Sequence, residues 1–221
     1  HVPVPVKTVA TAHADDDFAQ YQKLGDLKTW NIYSPLMAPV SLRQEWLELK
    51  DEDPFDYACV ERKIPASSYL KASFDVQAAQ TRNGSLQIEF LDEKGIACTR
   101  IELNKEGMIR VKNGARYGNV MPYQADQTYR FEATLDTQHR QLNLTVSTLG
   151  ADGKALQSKS TKRIFYAPVH QIERIRFRTG DLRTFPTIDT PADWFGTLEH
   201  AGDTDTTALY RIAHVKTVSL D

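Results

Sequence analysis

Alternation of apolar and polar positions dominates the chain from Ser67 to Gly150. Leu70, Ala72, Phe74, Val76 and Ala78 alternate with Lys71, Ser73, Asp75 and Gln77, the period-two signature of a strand with one buried face. The pattern returns at Leu86-Ile88-Phe90, Ala97-Thr99-Ile101-Leu103, Ile109-Val111, Tyr129-Phe131-Ala133-Leu135 and Leu142-Leu144-Val146. Short polar links separate these runs, at Asp92 to Gly95, Asn104 to Gly107 and Asp136 to Arg140. Links of that length join antiparallel neighbours, so the stretch is predicted to be a meander.

Outside the meander the pattern is less even. His1-Val2-Pro3-Val4-Pro5-Val6 has prolines at alternate positions and is expected to run extended, as a linker from something upstream. Asp15-Asp16-Asp17 precede Phe18, Tyr21 and Leu24, a spacing that predicts a short helix within Ala10 to Leu27, with the acids as its solvated cap or, alternatively, a metal site. Trp30 to Pro35 and Ala38 to Val40 read as irregular segments along a sheet edge, because proline cannot sit in a central strand. Leu42 to Leu49, Tyr57 to Ile64, Ala155 to Tyr166, Ile172 to Thr179 and Thr207 to Leu220 complete the strands, about twelve in all. The last is expected to return beside the first. Single-faced alternation requires two sheets packed apolar face to apolar face. The expected architecture is all-β: a two-sheet antiparallel jelly-roll sandwich over residues 42–221, behind an irregular or helical lead-in over 1–41.

Length and composition permit this. A chain of 221 residues suffices for one large sandwich, and a net charge of −2 gives no global attraction to nucleic acid or an anionic membrane. No apolar run approaches the roughly 20 residues that cross a bilayer, and no signal segment opens the chain, which fits an intracellular protein or a mature fragment. Cys59 and Cys98 both fall in predicted strands, where they are either bridged or two buried thiols. Asp51, Glu52 and Asp53, with Asp56 beyond, could attract calcium or form a plain polar turn; their spacing matches no dedicated calcium loop. The six histidines show no zinc-ligand spacing, and neither a phosphate loop nor a nucleophile elbow is present. Asn83-Gly84-Ser85 and Asn143-Leu144-Thr145 are acceptor sequons.

Binding residues are easier to nominate. In Ile172 to Thr179, Ile175 and Phe177 face one way while Arg174, Arg176 and Arg178 face the other, about 7 Å apart. Guanidinium forks match carboxylates and sulfates, so an acidic polysaccharide suits this stripe; pairing with Glu45, Glu48, Glu61 or Glu132 on neighbouring strands is the competing use. Gly180 to Asp205 lacks periodicity yet holds Trp194, Phe195 and His200, the composition of a functional loop. Trp194 is the candidate stacking platform for a sugar ring, with Trp30 and Trp46 assigned to the core. Arg183, His200 and the predicted loop Arg116-Tyr117-Gly118-Asn119 supply further polar and aromatic groups to line a cleft.

Phe90-Leu91-Asp92-Glu93-Lys94-Gly95, Arg100-Ile101-Glu102-Leu103, Gly107 to Val111, Tyr123 to Tyr129, Thr134-Leu135-Asp136 and Leu142 to Val146 together resemble the concanavalin A-like (laminin-G-like) jelly roll. The resemblance covers roughly Leu42 to Leu220 and implies a fold that hosts lectins, carbohydrate-binding modules, glycosidases and lyases. The Glu-x-Asp-x-x-Glu strand of its retaining glucanases is absent. Arg100 and Glu102 faintly match the Arg-Thr-Glu-Leu of its lyases, whose Gln-Ile-His and Tyr-x-Lys-x-Gly segments are missing. The proline-rich start and the Arg178-Thr179-Gly180 region also resemble accessory sandwiches that follow catalytic domains in secreted bacterial polysaccharide lyases. These likenesses imply a secreted, periplasmic or cell-surface accessory module that binds a polysaccharide or oligosaccharide, beside an upstream catalytic domain and without a cofactor. A lyase or glycosidase, and a structural module that docks on its neighbour, are the alternatives.

Overall fold

In the computed structural model, which describes residues 11–53, 56–180 and 207–221, the alternating stretch forms the centre of both sheets. One sheet has seven strands: β2 (Trp30–Tyr33), β5 (Cys59–Ser67), β7 (Leu86–Leu91), β8 (Ala97–Leu103), β9 (Met108–Asn113), β10 (Arg116–Pro122) and β14 (Ile172–Thr179), in the order β10-β9-β8-β7-β14-β5-β2. The other has eight: β1 (Thr11–Asp16), β3 (Val40–Arg43), β4 (Trp46–Asp51), β6 (Tyr69–Ala78), β11 (Thr128–Asp136), β12 (Gln141–Leu149), β13 (Ala155–Ile164) and β15 (Ala208–Ser219). Its order is β13-β12-β11-β6-β15-β4-β3, with β1 added along β15. Every pairing is antiparallel. The protein is a two-sheet sandwich of the jelly-roll type, and its last strand lies beside its first, as expected.

Apolar positions of the two sheets meet in one core. Phe74 of β6 stacks on Phe131 of β11 at 5.4 Å and meets Phe177 of β14 edge-on at 5.0 Å, so aromatic contact crosses from sheet to sheet. Trp30 is buried beside Phe18 and Phe177, in the core position assigned to it.

Several elements differ from the sequence expectation. No α-helix forms over the described residues 11–27; Thr11–Asp16 pairs with β15, and two 3₁₀ turns follow at Phe18–Gln20 and Leu24–Asp26. A short isolated helix is marginal, whereas β15 offers a full row of backbone partners. The Asp triplet divides accordingly: Asp15 is exposed, Asp17 caps the first turn through Ala19 N at 3.1 Å, and Asp16 turns inward. There Asp16 accepts from Arg62 Nε at 2.8 Å and Trp30 Nε1 at 3.0 Å. Leu42 to Leu49 is a hairpin rather than one strand, with Gln44 and Glu45 as its turn and Gln44 at φ 57°. Residues 30–33 form a regular edge strand, and residues 116–119, expected as loop, belong to the opposite edge strand β10. Trp46 also departs from its core assignment: Leu47 and Leu49 take the buried positions of β4, leaving Trp46 half-buried on the outer side with Glu48 and Lys50.

Cys59 and Cys98 are both free thiols, and burial pushes the Cys59 thiol up to about 11. The acids after β4 do not converge. Asp51 accepts from Thr179 Oγ1 at 2.8 Å and Asp53 N at 3.0 Å, Glu52 pairs with Lys50, and Asp56 accepts from the Tyr33 hydroxyl. Among the described residues no three His, Cys, Asp or Glu side chains gather as a metal site.

Candidate functional site

Alternation that buries Ile88, Ile101, Val111 and Phe177 turns the intervening residues of the seven-stranded sheet outward. Register aligns them in cross-strand rows. One row runs Tyr33, Cys59, Arg178, Gln87, Glu102, Arg110, Asn119. The next runs Asn31, Glu61, Arg176, Glu89, Arg100. Seven cations on these strands, Lys63, Arg100, Arg110, Lys112, Arg174, Arg176 and Arg178, stand with four carboxylates, Glu61, Glu89, Glu102 and, at the β14 bulge, Glu173. The strands of this face therefore carry an excess of positive charge although the chain as a whole is slightly acidic.

The cations do not all have the same freedom. Glu89, 1 % exposed, accepts from Arg100 at 3.0 Å and from Arg176 at 2.7 Å. Glu61 pairs with Arg174 at 3.1 Å, and a second nitrogen of Arg174 donates to the Glu93 carbonyl. Arg178 has no carboxylate partner among the described residues. Its guanidinium lies 3.7 Å from the ring centroid of Tyr57, and burial lowers its pKa. Its Nε and the facing Gln87 Oε1 are both buried without a hydrogen-bond partner among the described residues. One strand thus presents two arginines fixed in ion pairs and one with charge still to offer.

A cleft of about 610 Å³ opens beside this row over β7 to β10. Gln87, Arg100, Glu102, Arg110, Tyr117 and Asn119 line its floor, and Asn104, Lys105 and Glu106 of the β8–β9 turn form one rim. That turn is fixed by Asn104 Oδ1, which accepts from Glu106 N at 3.1 Å and Met108 N at 2.9 Å, with Gly107 at φ 79°. Glu102 accepts from Gln87 Nε2 at 2.7 Å and from Arg110 through Nε and Nη2. The Tyr117 ring has Arg110 4.3 Å and the Lys112 ammonium 4.7 Å from its centroid. Burial raises the Tyr117 phenol and lowers the Lys112 ammonium, the latter also through nearby Arg100. An aromatic ring among cations and fixed planar acceptors can hold a sugar ring and attract an anionic substituent.

Of the residues nominated from sequence, Arg174, Arg176 and Arg178 share this face, and Tyr117 lies on the same sheet in the cleft. Arg116 is exposed at the start of β10. Trp194, Arg183 and His200 lie outside the described residues. Sequence reasoning nominated Asn119 with Tyr117, and it did not nominate Arg110 or Gln87 for binding. Their signal is present but indirect, because each sits at a polar position of an alternating strand and only register assembles them.

The family model described as Sialidase-like, CBM domain matches residues 30–194. Among solved structures, a sialidase is 55 % identical with a TM-score of 0.79; the match covers all of this chain and 20 % of that one. The chain thus spans about a fifth of the sialidase. A GH131 β-glucanase catalytic domain from Podospora anserina aligns over 96 % of this chain and 97 % of its own, with TM-score 0.60 and 13 % identity. Lectin II from Ulex europaeus aligns over 95 % of this chain and all of its own, with TM-score 0.58 and 7 % identity. At those identities the likeness is one of fold, and the fold is concanavalin A-like. No curated protein matches significantly.

Proposed function

Because the chain belongs to the Sialidase-like CBM domain family, we propose that the Tyr117 cleft is its glycan site and that the site favours sugars carrying a carboxylate. The observation that carries this reading is the surplus of cations on one sheet face around a half-buried aromatic ring, in a protein of net charge −2. Tyr117 supplies the apolar platform for a pyranose C–H face. Arg178, without a carboxylate partner, and Lys105 on the rim attract the acidic group, while Gln87 and Asn119 bond hydroxyls. From β14 to β10 is four inter-strand steps of about 4.8 Å, roughly 19 Å, room for a short oligosaccharide rather than one ring. Sialic acid meets the requirement, since its carboxylate is ionised at neutral pH.

The module acts by binding rather than by catalysis. Glycoside cleavage in this fold uses a proton-donating acid and a second carboxylate across the scissile bond. Here Glu61, Glu89 and Glu102, the carboxylates in the two cross-strand rows, are each engaged by arginine. In the parent enzyme the module holds a catalytic domain near sialylated chains outside the cell.

Calorimetric titration with 3′-sialyllactose and with lactose tests this. The sialylated sugar should bind this cleft about ten-fold or more tightly, a difference of roughly 1.4 kcal/mol that shrinks as salt rises. Tyr117→Ala and Arg178→Gln should each abolish the preference, and the chain alone should release no sialic acid. Equal affinity for both sugars, or indifference to both substitutions, would overturn the assignment.

A further inference from the structure

The outer face of the eight-stranded sheet carries a second cleft, of about 390 Å³, whose lining includes Arg43, Gln44, Trp46, Glu48, Gln77 and Arg211. It lies on the side of the sandwich opposite Tyr117 and shares no residue with that site. The indole is there because β4 buries Leu47 and Leu49, so its alternate positions carry Trp46, Glu48 and Lys50 outward. A half-buried tryptophan at the wall of a polar cleft contributes little to the core and offers a flat apolar surface to what enters.

The groups beside it are held in place. Glu48, 7 % exposed, accepts from Arg211 Nε at 3.0 Å and pairs with Arg43 at 3.5 Å. Arg211 Nη1 donates to Gln77 Oε1 at 2.8 Å, and Gln77 Nε2 donates to the Asp126 carbonyl and Thr128 Oγ1. Arg211 also lies 3.8 Å from the Asp126 carboxylate, and Lys50 pairs with Glu52 at 3.0 Å. Cations and carboxylates balance here, in contrast to the face that holds Tyr117. Gln44, whose side chain helps line the cleft, sits at φ 57°, where glycine or asparagine would cost less.

We propose that this cleft is a second saccharide site, which takes an uncharged pyranoside by stacking its C–H face on Trp46 and bonding its hydroxyls to Glu48, Gln77 and Gln44. Charge balance excludes the electrostatic selection of the first site, and the ring contact supplies the affinity. The sheets stand about 10 Å apart, so a short glycan cannot reach both faces, and the two sites engage separate branches. On a surface dense in glycans the linked sites give avidity beyond either alone.

Methyl β-D-galactoside is the probe, because its axial O4 leaves one ring face free of hydroxyls. In a ¹⁵N-labelled chain the indole N–H resonance of Trp46, assigned by its loss in Trp46→Phe, should move progressively with millimolar affinity. Backbone amides of β4 and of the turn before it should move with it. Trp46→Phe should bind roughly five-fold more weakly by those amides, while Tyr117→Ala leaves the titration unchanged. No movement of the indole or those amides up to roughly 50 mM galactoside would overturn the proposal, as would loss of the response in Tyr117→Ala. Sialyllactose binding reports on the other face, so either site can fail by itself.

Discussion

At the scale of single residues, two buried positions at one end of the sandwich have measurable consequences. A Cβ on Gly84, which sits at φ 70°, would lie 2.4 Å from Ala208 Cβ and 3.0 Å from the Tyr210 hydroxyl. Gly84→Ala combines a left-handed backbone with a clash against β15, and should lower stability by about 2 kcal/mol or more in urea unfolding. An unchanged midpoint would mean that β15 does not pass there. The same neighbourhood closes the first sequon, since Asn83 Nδ2 is buried. Asp51, 2 % exposed, has its carboxyl pushed by burial to about 6 from 3.8, against the lowering bond from Thr179. Below pH 3.8 it is protonated whether folded or unfolded and imposes no penalty. Between about pH 4 and 6 the unfolded chain ionises first, so this residue removes up to about 3 kcal/mol as pH rises, and the loss persists above 6. The stability of Asp51→Asn relative to the native chain should therefore climb across that window and then level off. A difference independent of pH would show that the carboxyl titrates normally.

At the scale of the element, β14 shows how one residue type on one face divides into different roles. Arg176 helps neutralise a carboxylate that is almost wholly buried, so Arg176→Gln leaves Glu89 with Arg100 alone and should cost about 2 kcal/mol. Arg178 faces Gln87 and Tyr57 rather than a carboxylate, and Arg178→Gln should change stability by less than about 1 kcal/mol while removing preference for an acidic sugar. Denaturant midpoints and sialyllactose titrations on the same two variants check the division; a reversed order would move the anion site from Arg178 to Arg176. The β3–β4 hairpin offers the complementary case. Gln44→Gly relieves a positive φ and should gain up to about 1 kcal/mol of stability while weakening galactoside binding at Trp46. Stability and binding would then change in opposite senses.

At the scale of the molecule, the first described strand is part of the sandwich. β1 extends the eight-stranded sheet along β15, yet Asp16 at its end reaches Arg62 of β5 and Trp30 of β2, both in the seven-stranded sheet. This clasp joins the sheets at one edge. Asp16→Ala strands a buried guanidinium and should lower stability by about 3–5 kcal/mol, a fall that thermal unfolding would register plainly. A change below about 1 kcal/mol would show that β1 is a detachable strap. The sandwich also separates two chemistries, with excess positive charge around Tyr117 on one outer face and a balanced network around Trp46 on the other. A rigid two-layer core is what keeps them apart.

The sequence by itself determined the fold class and the central strands, because burying one face of a sheet imposes a period of two that Leu70 to Val146 states openly. It also nominated the β14 arginines, since polar positions on an alternating strand must face water, and Tyr117 from a stretch expected as loop. Only the tertiary structure decided the rest. β1, β2 and β10 are strands because neighbours supply their backbone partners; β2 has only four residues, β1 has only alanines at its apolar positions, and the run of β10 does not alternate apolar with polar. Glu89 beside Arg100 and Arg176, Arg178 facing Gln87, and Trp46 beside Glu48 and Arg211 are set by register between segments far apart in the chain. Local pattern records which face a residue takes, and register alone chooses its neighbours.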